Sequence, residues 1–186
     1  DDICRPFDLN RNGINIGEAA GFILLEFTEH GHGKVKLKGY GESSDAYHMS
    51  TPHPDGDGAV SAMNDALRRA GLKADSIDYI NLHGTATQNN DIAEARGLLR
   101  VFGDKAICSS TKGFTGHTLG AAGITEAIIS VLALEQEILP GNLNMQSWDP
   151  ELVVKPLAVT TRQSVENVMN NNFGFGGNNC SLIFGW

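Results

Sequence analysis

The chemistry in this sequence sits at three loops. His83 opens His83-Gly84-Thr85-Ala86-Thr87. Lys112 and His117 frame Lys112-Gly113-Phe114-Thr115-Gly116-His117. A third loop, Gly174-Phe175-Gly176-Gly177, follows a β-prone run. Two imidazoles can donate N–H bonds, an ammonium supplies fixed positive charge, and glycine-bracketed backbone can approach another group closely. Brought together, these groups suit the stabilisation of negative charge developing on a carbonyl oxygen. They do not supply a nucleophile. Taken singly, each has a plain structural reading: a core histidine, a solvated strand-end lysine, a tight turn.

Convergence requires strands that stop at these loops. Residues 77–82 read as a buried strand ending at His83, and 107–111 as a β-prone run ending at Lys112. Helices are predicted over 59–70, with Met63, Ala66, Leu67 and Ala70 on one face before Gly71, and over 91–102 before Gly103. A third begins with the small residues Leu119-Gly120-Ala121-Ala122-Gly123 and runs to about Glu135. Residues 165–173 and 179–184 form a closing strand pair around the last loop. A further strand over 153–161 is interrupted by Pro156. Near the start, residues 5–17 read as an ordered, turn-rich loop with Asn12-Gly13 as its turn signal. Residues 21–42 predict a hairpin turning at His30-Gly31-His32-Gly33. Strands alternating with helices give an α/β fold with a buried sheet, and in such sheets ligands bind past the C-terminal strand ends.

Composition narrows the function classes. A net charge of −8 over 186 residues argues against a general nucleic-acid binder, which needs a basic face. No apolar run reads as a membrane span and nothing at the start reads as a signal peptide, so a cytoplasmic protein is expected. The three cysteines, Cys4, Cys108 and Cys180, lack metal-type spacing and fit free thiols in a reducing compartment. No metal is expected: His30 and His32 have no third ligand nearby. Asp55-Gly56-Asp57-Gly58 lacks the downstream Glu of a calcium loop and reads as helix-capping sequence. The chain begins without Met and reads as part of a longer polypeptide.

Four stretches then carry a resemblance. RPFDLNRNGINIGEAAG, HGTATQNND, SSTKGFTGHTLGAAG and NNFGFGGNNCSLIF, in this order, resemble the motifs of the elongating, decarboxylating β-ketoacyl-ACP synthases. The resemblance implies the C-terminal half of a thiolase-like fold, layered α-β-α around a mixed five-stranded sheet, with a hairpin from the N-terminal half ahead of it. Residues 1–58 would then be the tail of the N-terminal half and 59–186 the C-terminal domain. It implies that His83 and His117 hold the malonyl thioester carbonyl and favour loss of CO2. Lys112 would shape the field around the second histidine, with Glu126 as its acidic partner and Asp91 supporting the first loop. Thr85 and Thr87 would bind the phosphopantetheine arm. Phe175, flanked by Gly174 and Gly176, would be the gating aromatic. The implied partners are acyl carrier protein, malonyl and acyl thioesters, and a second subunit in a homodimer, with no permanently bound cofactor. The family's nucleophile is a cysteine at a buried helix N-terminus. Cys108 sits in the strand before Lys112 and reads instead as a small core residue. The chain alone is therefore expected not to condense anything.

Two other identities fit less well. A chain-length-factor-like partner subunit would usually lack the histidines, and a thiolase working with CoA fits the two-histidine pattern poorly. Arg5, Arg11, Arg68 and Arg69 are candidate contacts for an acidic carrier protein. Asn89-Asn90 depart from the family's smaller residues and predict altered packing of the first histidine loop. Fatty-acid and polyketide roles are both compatible with the sequence.

Overall fold

A computed structural model describes residues 3–27 and 34–186. In chain order its elements are β1 (Lys36–Ser44), α1 (Asp57–Ala70), β2 (Tyr79–Asn81), α2 (Gln88–Phe102), β3 (Cys108–Ser109), α3 (Lys112–Thr115), α4 (Ala122–Gln136), β4 (Ile138–Leu139), β5 (Thr161–Arg162), β6 (Asn167–Gly174) and β7 (Asn178–Gly185). Five strands form one mixed sheet in the order β1-β7-β6-β2-β3; β4 and β5 make a separate small pair. β2 runs parallel to β3 and β6, while β7 is antiparallel to both its neighbours.

The period-2 alternation of the central strands decides which helix each side chain meets. Ile80, Leu82, Met169 and Ile183 face α1 and α2, packing with Met63, Ala66, Leu67 and Leu98. Tyr79, Val168 and Phe184 face the other way, onto Ala127 and Leu134 of α4. Each such large apolar side chain withdrawn from water contributes roughly 1.5–3 kcal/mol. Tyr79 and Asn81 of β2 belong to the α4-facing set, and His83, two residues beyond the strand, keeps that parity.

β1 is thinned by Gly39 and Gly41. A Cβ at either would collide with α1 backbone, at the Ala66 and Ala62 carbonyls, so the bare strand is what lets α1 lie flat on the sheet. α1 starts from Gly56 and stops at Gly71, both left-handed, as Gly71's place after the apolar stripe required.

Two expected strands differ. Residues 22–27 form no strand and stand exposed, Phe22 at 96% and Phe27 at 110% of full accessibility. Gly21 seats the chain against Ile124 and Ile128 of α4, away from β1, and β1 pairs with β7 instead. The expected turn at His30–Gly33 lies outside the described residues. Within 153–161 only Thr161 is in a strand, β5; Pro156 has no N–H to give a ladder. Residues Leu119–Gln136 are long and apolar enough to cross a membrane by length and composition, with mean hydropathy 1.3. Here that stretch packs on β6 and carries the buried Glu126.

Candidate functional site

The histidine loops meet. His83 and His117 lie with ring centroids 5.3 Å apart and planes at 85°. Phe173 of β6 approaches the His83 ring at 5.9 Å. His83 is buried, whereas His117 is half-buried at the wall of a cavity of about 670 Å³. The cavity is also lined by Thr85, Thr87, Asn89, Asn172, Gly174 and Phe175.

Lys112 is the centre of charge beneath the rings. It is fully buried, at 1% exposure, on the short helix α3. Its Nζ donates to Glu126 Oε1 of α4, forming a buried ion pair, and to the His83 carbonyl at 2.5 Å. It also stands 3.4 Å from His83 Nδ1. An ammonium has only donors, so this nitrogen of His83 faces a donor and the proton belongs on Nε2. The same logic holds for His117. The Leu119 N–H donates to His117 Nδ1 at 3.1 Å, which leaves Nε2 to carry the proton. Leu119 adopts φ 52°, a left-handed conformation rare for a bulky residue, and thereby turns its N–H back to the ring. Both rings thus keep an Nε2–H donor for a ligand.

Both imidazoles are held neutral. Burial lowers His83 well below its ordinary 6.5, with Lys112 and His117 acting in the same direction. Burial, then Lys112, lowers His117 to about 4. The unfolded chain binds more protons than the folded one between pH 6.5 and about 4. The histidines' contribution to folding is complete above 6.5 and is lost as pH falls across that window. In histidine-selective NMR of the folded chain, His117 should titrate near 4 and His83 well below 6.5. A midpoint near 6.5 for either ring would contradict this environment.

The first loop is built on carboxylates of α2. Asp91 accepts from Thr85 N–H (3.1 Å), Ala86 N–H (3.2 Å) and Phe7 N–H (2.9 Å), with Arg11 Nε 3.6 Å away. Burial raises its pKa to about 6, against those bonds and Arg11. Glu94, which the sequence reading passed over, accepts the backbone N–H groups of His83 and Gly84 at 2.8 and 2.7 Å. Burial pushes it up to about 8. Its position, three residues after Asp91 on the same helix, was the signal that could have found it. Asn90 donates to Asp91 Oδ1 at 3.3 Å. Thr85 and Thr87 share a hydroxyl bond of 2.8 Å at the cavity wall.

The third loop closes the cavity. Gly176 takes φ 84° and Gly177 φ 75°, conformations a side chain would strain, and the turn leaves Phe175, just before them, 81% exposed. Gly176 N–H donates to the Met49 carbonyl (2.7 Å), and Asp45 N–H to that of Gly177 (2.8 Å). The Asn179 amide also donates to Asp45 Oδ1 at 2.8 Å, so the loop is tied to residues 45–49. None of the three cysteines lines the cavity. Cys108 is fully buried in the apolar cluster under α2, where burial pushes its thiol pKa up.

The basic residues sort differently from expectation. Arg11 cannot meet a partner protein: it is buried, 2.5 Å from Asp149 and beside Asp91. Arg68 and Arg69 both bind Asp65, and Arg69 also lies over the Tyr40 ring.

Against known proteins, residues 35–146 match the family model described as Beta-ketoacyl synthase, C-terminal domain. The chain belongs to the β-ketoacyl synthase family. It is 46% identical, over 97% of its length, to the mitochondrial 3-oxoacyl-[acyl-carrier-protein] synthase of Arabidopsis thaliana, of which it covers 42%. Among solved structures it resembles a ketosynthase in complex with its chain length factor from Xenorhabdus doucetiae. That match has a TM-score of 0.87 and 42% identity, and covers 99% of this chain and 46% of the other. A type II polyketide synthase ketosynthase, solved with its acyl carrier protein, matches with a TM-score of 0.91 and 29% identity over 97% of this chain and 47% of its own. The chain spans about half the length of the curated relatives it matches. The fold is the C-terminal portion of the thiolase-like ketosynthase architecture.

Proposed function

We propose that this chain supplies the malonyl-decarboxylating half of a 3-oxoacyl-ACP synthase site. The observation that carries the reading is the pair of neutral imidazoles, each with Nδ1 turned toward a donor of the protein and Nε2–H left for a ligand. Two such donors on one thioester oxygen stabilise the enolate formed when the malonyl carboxylate leaves as CO2. The electron pair of the breaking C–C bond becomes the enolate, whose carbon then attacks an acyl thioester; the new C–C bond forms as the acyl C–S bond breaks, and the thiol sulfur leaves with that electron pair as thiolate. The neutral rings give up no proton and add no net charge.

In this reading Lys112 keeps the field beneath the rings positive, Glu126 balances it, and Asp91 shapes the loop. Thr85 and Thr87 meet the amides of a phosphopantetheine arm entering the cavity, with Phe175 at its mouth. No other cofactor takes part. Residues 1–58 are the tail of the N-terminal half, with β1 joined to the five-stranded sheet. Malonyl-ACP and an acyl thioester are the substrates, and the assembly is a homodimer. The acyl-carrying cysteine comes from outside this chain, so the chain alone is inactive. A relative's title naming an acyl carrier protein bound to its ketosynthase supports the carrier as partner.

Release of labelled CO2 from malonyl-ACP tests the proposal. A synthase containing this segment should release it, and the 186-residue chain alone should not. Decarboxylation by the chain alone would overturn the need for an outside half. Full activity of the synthase after both histidines are changed to alanine would overturn the assignment itself.

A further inference from the structure

One segment, residues 3–17, lies across both histidine loops. On the first, Gly13 N–H donates to the Ala86 carbonyl at 2.9 Å and Phe7 N–H to Asp91 Oδ2 at 2.9 Å, while Arg11 Nη2 donates to Gln88 Oε1 at 3.0 Å. On the second, His117 itself is held through its own backbone. His117 N–H donates to the Asn15 carbonyl at 2.7 Å, and Gly17 N–H donates to the His117 carbonyl at 3.0 Å. Ile16 and His117 make an isolated parallel bridge.

This bridge is possible because glycine faces glycine. A Cβ at Gly116 would come within 2.9 Å of both the Asn15 carbonyl oxygen and the Gly17 nitrogen. A Cβ at Gly17 would collide with the Thr115 carbonyl oxygen and reach within 3.1 Å of the Thr118 methyl. These neighbours are mostly backbone and cannot rotate aside. Left-handed non-glycine residues mark the same three places: Phe7 at φ 62° in the strap, Ala86 at φ 65° in the first loop and Leu119 at φ 52° after His117. Such conformations persist where the surroundings over-determine them.

We propose that Gly17 is a positioning residue for His117: its bare backbone lets the strap lie directly on the Thr115–His117 turn and sets the imidazole's place opposite His83. The proposal rests on the reading of the two histidines as a donor pair. Because the strap's other end is fixed to the HGTAT loop, a displacement at Gly17 changes the spacing of the rings rather than carrying both along. The titratable groups facing His117 are Lys112 and His83; burial first and then the Lys112 charge set its titration, so a ring displaced from its place 5.3 Å from His83 toward solvent titrates higher.

The test is histidine-selective NMR on the 186-residue chain with the parent sequence, Gly17→Ala and Gly120→Ala, whose Cβ would meet open space. In Gly17→Ala the His117 midpoint should rise from about 4 toward 6.5 by about one unit, a tenfold change in proton affinity, while His83 and the Gly120→Ala chain stay as in the parent. A folded Gly17→Ala chain with the parent's His117 midpoint would overturn the proposal. Should that variant not fold, amide exchange in the parent decides. Equal, strong protection of the His117 and Gly17 amides supports the strap, and unprotected exchange of either refutes it. In the synthase, Gly17→Ala should lower kcat for malonyl decarboxylation with little change in KM. If the histidines proved uninvolved in decarboxylation, the NMR shift would still appear, so the two failures are distinguishable.

Discussion

Replacing Lys112 with methionine is expected to destabilise the folded chain by about 3–5 kcal/mol, because it strands a buried carboxylate. Glu126 is 1% exposed and its Oε1 is satisfied by Lys112, with the Asn172 side chain as its other, weaker polar neighbour among the described residues. Burial already raises its pKa, opposed mainly by Lys112, so losing the lysine leaves desolvation opposed only by the smaller effect of Asn172. Methionine keeps most of the volume and isolates the charge effect. Glu126→Gln alone should cost less, since the amide still meets Lys112 Nζ and leaves no isolated carboxylate. The double variant Lys112→Met/Glu126→Gln should recover much of the lysine's loss, since neutralising both members of a buried pair is often nearly neutral. Urea unfolding at pH 7 on the four chains measures the coupling. Equal losses in the single lysine variant and the double would show that the stranded carboxylate is not the cause. Removing Lys112 also removes a charge that holds both histidines down, so their titration should move upward in the same variant.

The second large effect is on chemistry. In a synthase containing this segment, His83→Ala or His117→Ala should each lower malonyl decarboxylation by roughly 10²–10³-fold, the loss typical of one oxyanion donor. The double variant should fall short of the product, because two donors on one oxygen act as a unit. Decarboxylation unchanged by His117→Ala alone would leave His83 as the sole donor and sink the paired-donor reading. The variants should differ in folding. His83 sits buried among Lys112, Phe173 and the backbone held by Glu94, so its truncation opens a cavity under the loop. His117 lines the open pocket, and its truncation should leave stability close to the parent's.

Much of the architecture follows from local pattern. The buried run at 77–82, the alternation of strands with helices over 59–135, Gly71 after an apolar stripe, and glycine loops past strand ends pointed to the α/β fold and named both histidine loops. Period-2 geometry sends Tyr79 and Asn81 of β2 to the α4 face, and His83, two residues beyond the strand, keeps that parity. The position of Glu126 on the helix after the Lys-Gly-Phe-Thr-Gly-His run likewise places a carboxylate over that face.

What only the tertiary structure decided is contact across long sequence separation. Local periodicity carries no information on where residues 22–27 go once Gly21 rests on α4, nor that Arg11 would be drawn into the interior by Asp149, 138 residues away. Nor does it show that Asn15 and Gly17 would hold His117 by its backbone. A backbone hydrogen bond is indifferent to the side chain that bears it. The sequence alone determined which groups could stabilise a developing charge; the packing of the strap against Gly116 and of Lys112 between two loops determined that they stand together.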